Sequence, residues 1–297
     1  MTLKLGLIGF SEGNAHPYSW SAICNGYSVS QMRNCGFPEI SQYLGAEVWP
    51  LARIYDVKVT HVWTQDNTLS QHIARASYIP NIVDDPFKMI GEIDALLLAR
   101  DDAENHLKFA KPFLEFGMPI YIDKPLATSI EGLNSLYDLE KYPGQLFTCS
   151  ALRYASELCI SSEDRKKLGQ IKSIEAITPN SWIKYSIHII EPVLNMLDVT
   201  DTVENNRTES LQGDGVKVSI EYRSGVLVHL TASGAMNHGP ISIKVIGQLS
   251  SKVYTFVSTF SAFKLALSDF LSGVKSRTCK SPRDYNERVI SVIEMGL

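Results

Sequence analysis

Cysteine is scarce and scattered. Cys24, Cys35, Cys149, Cys159 and Cys279 are the only five in a chain of 297 residues, with no CxxC pair among them. This excludes the disulfide framework of a small secreted domain and leaves no zinc-ligand spacing. An odd, dispersed set of thiols fits a reducing compartment, so a cytoplasmic location is expected. Basic runs are also lacking. With 28 Lys and Arg against 32 Asp and Glu, the formal charge is −4, which argues against nucleic acid as a partner. The N-terminal apolar stretch, residues 5–10, is too short for a signal peptide or a bilayer span, so no membrane association is expected. Internal repeats and low-complexity tracts are absent. Hydrophobic content of 44% and charged content of 20% suit a chain that buries a large core, and its length suggests two domains.

The most informative stretch is Pro119-Ile-Tyr-Ile-Asp123-Lys124-Pro125-Leu-Ala. Its apolar, β-branched start reads as a short buried strand. Thr128 and Glu131 then have capping-box spacing, so the chain turns at once into a helix. Lys124 is thereby placed at the carboxyl end of a strand, where open α/β sheets bind their ligands. Proline restricts the residue before it, so this lysine is aimed.

Earlier in the chain, residues 3–10 read as a first buried strand ending at Gly9. A dinucleotide fingerprint G-x-G-x-x-G would run on from there. The chain instead has Gly9-Phe-Ser11-Glu-Gly13-Asn14, with Ser11 and Asn14 in place of the second and third glycines. On these residues alone, a phosphate-binding turn and a plain strand-to-helix turn both remain open. Serine still offers a backbone N–H and a hydroxyl to phosphate. The second strand, 57–63, begins later than a plain βαβ unit requires. The intervening 25–49 segment, rich in Asn, Tyr, Ser and aromatics, is expected to be either a packed decoration or a substrate lid. Asp66 follows the second strand as a candidate for holding the adenosine ribose, with Thr64 and Gln65 as alternatives and a helix cap as the competing role. No arginine adjoins it, which favours NAD and leaves NADP as the alternative. Beyond residue 144, short strands are expected at 147–152, 171–177, 216–222, 226–232, 241–246 and 253–257. Arg223-Ser-Gly225 forms a hairpin turn between two of them, and helices at 262–274 and 284–295 close the chain.

The Asp123-Lys124-Pro125 triplet after such a strand resembles the Glu-Lys-Pro signature of the Gfo/Idh/MocA oxidoreductase family, with Asp for Glu. Gly6 and Gly9 also fit, as does Asp94-Ala with its apolar run and following His106. The usual Thr-Pro-Asn of that loop is replaced by Asp101-Asp102-Ala103. The resemblance spans nearly the whole chain and is strongest at residues 94–127. It implies an α/β Rossmann-type doubly wound domain, placed at 1–123, plus an α+β domain with a largely antiparallel sheet, at 124–297. In the family the lysine meets the reacting hydroxyl or carbonyl of a sugar or cyclitol beside a nicotinamide. By resemblance Gly9, Ser11, Gly13, Asn14, Asp66, Arg100, His106 and Asp123 are the cofactor-binding candidates.

The family also carries an Asp-x-x-x-His pair facing that lysine. Here Lys184-Tyr-Ser-Ile-His188-Ile-Ile-Glu191 occupies the region, and Lys184 stands where the Asp should be. Three roles stay open for Lys184: an amine coupled to Lys124, a group binding a substrate anion, or a solvated lysine that pairs with Glu191. Pro192 is expected to kink or restart the helix. The expected function is hydride transfer between NAD and a sugar, sugar nucleotide or cyclitol, with Lys124 and His188 at the reacting oxygen and a homodimer or homotetramer as the assembly. Two alternatives compete. One is a dinucleotide-binding sensor or assembly protein that has lost turnover, favoured by Ser11, Asn14 and Lys184. The other is a biliverdin-type reductase on the same scaffold. A metal site at His106 or His188 lacks a third ligand, so none is expected.

Overall fold

A computed structural model describes residues 2–235 and 239–297. In chain order the first elements are β1 (Leu3–Ile8), α1 (His16–Asn25), α2 (Val29–Arg33), α3 (Pro38–Gly45), β2 (Val57–Trp63), α4 (Asn67–Ala76) and β3 (Asn81–Ile82). Then come β4 (Ala95–Leu98), α5 (His106–Phe116), β5 (Ile120–Ile122), α6 (Ile130–Tyr137) and β6 (Leu146–Phe147). The remainder begins with α7 (Ser162–Leu168), β7 (Ile171–Thr178), α8 (Trp182–Tyr185), α9 (Ile187–Met196), β8 (Val203–Ser210) and β9 (Val216–Tyr222). It ends with β10 (Leu227–Ala232), β11 (Ser242–Gly247), β12 (Ser251–Thr255), α10 (Thr259–Ser276) and α11 (Arg283–Glu294).

These elements divide into two compact units. The first is Met1–Ala127 with Glu131–Cys149 and Thr259–Arg283. Its sheet is parallel throughout, in the order β3-β2-β1-β4-β5-β6. Helices cover both faces of such a sheet, which explains why β4 and β5 are apolar and buried at every position. The boundary expected at 123/124 is not where the units part. β6 pairs with β5 and extends the sheet past Lys124. From α10, Phe270 comes back to Tyr121 and Phe147, with ring centroids 5.6 Å from each.

The 25–49 segment folds as α2, α3 and a turn packed on this unit. Ser28 N donates to the Ala76 carbonyl at the end of α4, and Trp49 lies edge-on to Phe260 of α10 at 6.0 Å. Its approach to the loop after β1 is the Phe37 ring, 6.2 Å from Phe10.

The second unit is Thr128–Ile130, Ser150–Ser258 and Asp284–Leu297. Its sheet runs β12-β11-β7-β10-β9-β8, and only β7 and β10 are parallel neighbours. Alternating burial along β7 and β10 sets Ile174, Ala176, Val228 and Leu230 on one covered face. The Arg223-Ser-Gly225 turn joins β9 to β10, with Gly225 N donating to the Tyr222 carbonyl at 2.8 Å. α9 continues through Pro192 without a break. The interruption comes earlier, at Ser186 between α8 and α9.

Candidate functional site

In the first unit the strand order reverses between β1 and β4, so the loops after these two strands flank a crevice at the carboxyl end of the sheet. Gly9 closes β1, where an added Cβ would lie 2.7 Å from Pro17 Cγ, so only glycine lets the strand end this close to the start of α1. Gly13 turns the loop with φ +77°, and a Cβ built there meets nothing within 4 Å. The loop therefore bends at Gly13, one residue before the family's third glycine, and opens outward there.

Lys124, 6% exposed, follows β5 with Nζ 3.7 Å from Asp101 Oδ2. Asp101 lies in the loop after β4. Its Oδ1 accepts from Ser11 Oγ at 2.5 Å, and its N–H donates back to that hydroxyl at 3.0 Å. The Ser11 hydroxyl, expected to face phosphate, thus ties the two switch-point loops together. Asp123 is buried among donors: Asn14 Nδ2 at 2.7 Å, His16 Nδ1 at 2.5 Å and Lys124 N at 2.7 Å. Burial acts to raise its pKa, but the charge and hydrogen bond of His16, the charge of Lys124 and the Asn14 bond outweigh it and hold the group at about 2. His16 stacks on Trp20 with centroids 5.2 Å apart, and Trp20 stacks on Tyr121 at 4.5 Å. Sequence reasoning passed over His16, because a lone histidine at a helix start gives no signal of a carboxylate 107 residues later.

Other candidates have structural partners. His106 is fully buried, with Nδ1 2.9 Å from the Leu126 carbonyl and Nε2 2.7 Å from that of Arg100. Both ring nitrogens lie against backbone carbonyls, so His106 bridges the β4–α5 loop and the segment behind Lys124. Arg100 forks onto Asp102 at 2.9 and 2.5 Å and lies over Phe109. Asp66 caps α4, its Oδ1 accepting from Thr68 N at 2.8 Å, while its side chain stays exposed. Gln65 pins the loop after β1, bonding both N and O of Phe10. A cavity of about 820 Å³ opens at the opposite, amino-terminal end of the sheet beside Asp94, Tyr142 and Arg277 and touches none of these groups.

In the second unit His188 lies in the first turn of α9, its Nδ1 2.7 Å from Ser150 Oγ. Ser150 N donates to Glu191 Oε2 at 3.1 Å, and Arg153 Nε stands 3.7 Å from the same oxygen. Arg153 in turn lies over the Tyr285 ring at 5.1 Å. Glu191, 1% exposed, is therefore not on a solvated polar face, and its partner is Arg153 and not Lys184. Lys184 sits half-buried on α8. Burial raises the Glu191 pKa to about 7, against the lowering effects of Arg153 and the Ser150 N–H. The folded state then keeps a proton that the unfolded chain releases near pH 4.5. Stability should fall by about 3 kcal/mol as pH rises through this window and level off above it. Urea unfolding from pH 4.5 to 8 checks this, and Glu191→Gln should flatten the profile.

Residues 36–150 match the family described as "Oxidoreductase family, NAD-binding Rossmann fold", Gfo/Idh/MocA. This segment is similar to the NAD-binding domain of the Gfo/Idh/MocA family. Solved structures similar to the chain include myo-inositol 2-dehydrogenase from Lactobacillus plantarum, at 11% identity over 99% of this chain and 96% of that one, TM-score 0.76. The myo-inositol dehydrogenase of Lactobacillus casei in complex with NAD(H) and myo-inositol is 15% identical over 99% and 93%, TM-score 0.73. A probable dehydrogenase from Thermotoga maritima is 11% identical over 99% and 96%, TM-score 0.74. At these identities the likeness establishes the two-domain fold. No curated protein matches the sequence.

Within the Gfo/Idh/MocA frame, the parallel switch point and the open turn at Gly13 fit a dinucleotide, with the 9–15 loop and the head of α1 to hold its phosphates. The Ser11 and Asn14 side chains turn to Asp101 and Asp123. Among the described residues no cluster of three or more His, Cys, Asp or Glu is arranged for a metal, and no helix is long and apolar enough to cross a membrane.

Proposed function

We propose that this protein is an NAD-dependent dehydrogenase or reductase of a sugar, sugar nucleotide or cyclitol, with Lys124 and His188 meeting the reacting oxygen. The observation that carries this is Lys124. A buried ammonium at the carboxyl end of a central parallel strand, anchored by Asp101 beside the switch point, is placed to hold an oxygen whose charge changes. The bound nicotinamide supplies the hydride chemistry. Asp123 and Pro125 fix the backbone on either side of Lys124, and Asp101 directs its side chain. The inositol dehydrogenases among the similar structures agree with a polyhydroxylated substrate. The five free thiols agree with a cytoplasmic setting, and a homodimer or homotetramer is proposed by family analogy alone.

Asp66, exposed after β2, favours NAD over NADP because a carboxylate repels a 2′-phosphate. Fluorescence titration should show NADH binding more tightly than NADPH, and the reverse order would refute the assignment of Asp66. One observation favours a binding protein without turnover. The carboxylates of Asp101 and Asp123 are bonded to the very residues that replace the loop glycines, which places negative charge beside the phosphate seat. Failure of both dinucleotides to bind would promote that second reading.

A further inference from the structure

The amino end of the helix after the first strand is where a Rossmann sheet meets phosphate, usually through backbone N–H groups that the helix leaves unpaired. In α1 those groups can be counted. His16 N donates to Asn14 Oδ1 at 2.8 Å, and Pro17 has no N–H. Tyr18 N and Ser19 N both donate to the Ala15 carbonyl, at 3.1 and 3.3 Å. Each amide of the first turn is thus engaged or missing. The side chains of Tyr18 and Ser19 are bonded to His72 and Tyr43. The His16 ring is different. Its Nδ1 is fixed on Asp123 Oδ2 at 2.5 Å, the side chain is 16% exposed, and Nε2 is neither buried nor bonded among the described residues.

Asp123 decides what this ring can offer. Its carboxylate is ionised and only accepts, so Nδ1 carries a proton. A neutral ring would then present a bare Nε2, whose lone pair repels a phosphate oxygen. An imidazolium presents an N–H and a positive charge instead.

We propose that His16 binds a phosphate of the dinucleotide as an imidazolium, donating through Nε2 in place of the first-turn amides of α1. The identity of the ligand rests on the NAD-dependent function above.

The groups around the ring suit this role. From the end of β5, Asp123 faces it and balances the imidazolium charge, while the charge of Lys124 acts on the same carboxylate. From α10 the uncharged Phe263 ring meets it edge-on at 4.9 Å. On α1 itself Trp20 stacks on it at 5.2 Å, and in the preceding loop Asn14 bonds both His16 N and Asp123. The ring is therefore held in place before any ligand arrives. A protonated His16 also offsets the negative charge that Asp123 brings to this end of the sheet. Hydrogen bonds between two charged groups are stronger than those from a neutral amide, so one imidazolium can stand in for lost backbone donors. Because only the protonated ring makes the bond, proton and dinucleotide must strengthen each other's binding by the same factor.

The test is a histidine NMR titration of the full-length protein from about pH 5.5 to 9, free and saturated with NADH, whose phosphates do not titrate in that range. The His16 midpoint should rise by about one pH unit on binding, and NADH should bind about tenfold more tightly below this window than above it. His16→Gln, which keeps an uncharged donor, should weaken binding at the acid end and abolish its pH dependence. It also identifies the His16 signal by its loss. If that variant does not fold, contact with the Trp20 ring protons assigns the signal, and the wild-type titration decides. A midpoint unmoved by bound NADH would overturn the proposal and leave the dehydrogenase function standing. A protein that binds neither NADH nor NADPH would lose both.

Discussion

Lys124→Ala is expected to lower turnover by about 10²- to 10⁴-fold while NADH affinity stays within several-fold of wild type. The ammonium is buried at the end of β5, and its recorded ion-pair partner is Asp101 at 3.7 Å, a length that leaves it able to reach a substrate oxygen. Deleting it removes a positive charge from a low-dielectric position, where such charges act most strongly on a transition state. The variant should be less stable than wild type, because Asp101 loses its buried ion-pair partner and keeps only its bonds to Ser11. Equilibrium unfolding verifies that the variant is folded, and steady-state kinetics with NADH then read the effect. A kcat equal to wild type in a folded variant would remove Lys124 from the chemistry.

Asp123→Ala is expected to cost about 3–5 kcal/mol of stability, the range found when one partner of a buried charged pair is removed. It strips the acceptor from Asn14 Nδ2, His16 Nδ1 and Lys124 N at once, and so loosens the turn after β1 and the residue that follows β5. The pH dependence of the wild type carries the same information. With its folded pKa at about 2 against 3.8 for an ordinary Asp, the carboxylate contributes about 2 kcal/mol at any pH above 3.8. That contribution declines as pH falls from 3.8 and is gone below about 2. Urea titrations of wild type and Asp123→Asn across the acid range should converge at the low end. If the two curves stayed parallel, the Asp123 assignment would be lost.

The parallel strands were legible in the sequence because a strand buried on both faces is written as an uninterrupted apolar run. Residues 95–98 and 120–122 are such runs, and Lys124 could be placed at the end of the second without any structure. β8 was not legible, because Val-Glu-Asn-Asn-Arg-Thr-Glu-Ser alternates nothing. It is an edge strand exposed along most of its length, held by pairing with β9 and not by burial. The site divides in the same way. Lys124 and His188 stand out by chemistry and spacing. His16 and Ser150 act through partners that only the fold brings near, and neither residue type signals a role by itself. Ser11 was seen as a phosphate donor because its loop position says so, whereas its bond to Asp101 depends on the register of β1 beside β4. Asp66 satisfied two sequence rules at once, and its bond to Thr68 N shows that it meets at least the capping one.

The return of Thr259–Arg283 to the first unit has a consequence for how the chain is made. Synthesis delivers all six parallel strands by residue 147, yet Phe263, which meets the His16 ring edge-on at 4.9 Å, and Phe270, which covers Tyr121, are still unmade. The residues that cover the apolar flank of the first sheet are therefore translated only after the whole of the second sheet. Domains generally mature in the order they emerge. Here the earlier one has to wait for the later, and the surroundings of the Asp123–His16 pair are completed only when the segment from Thr259 onward arrives.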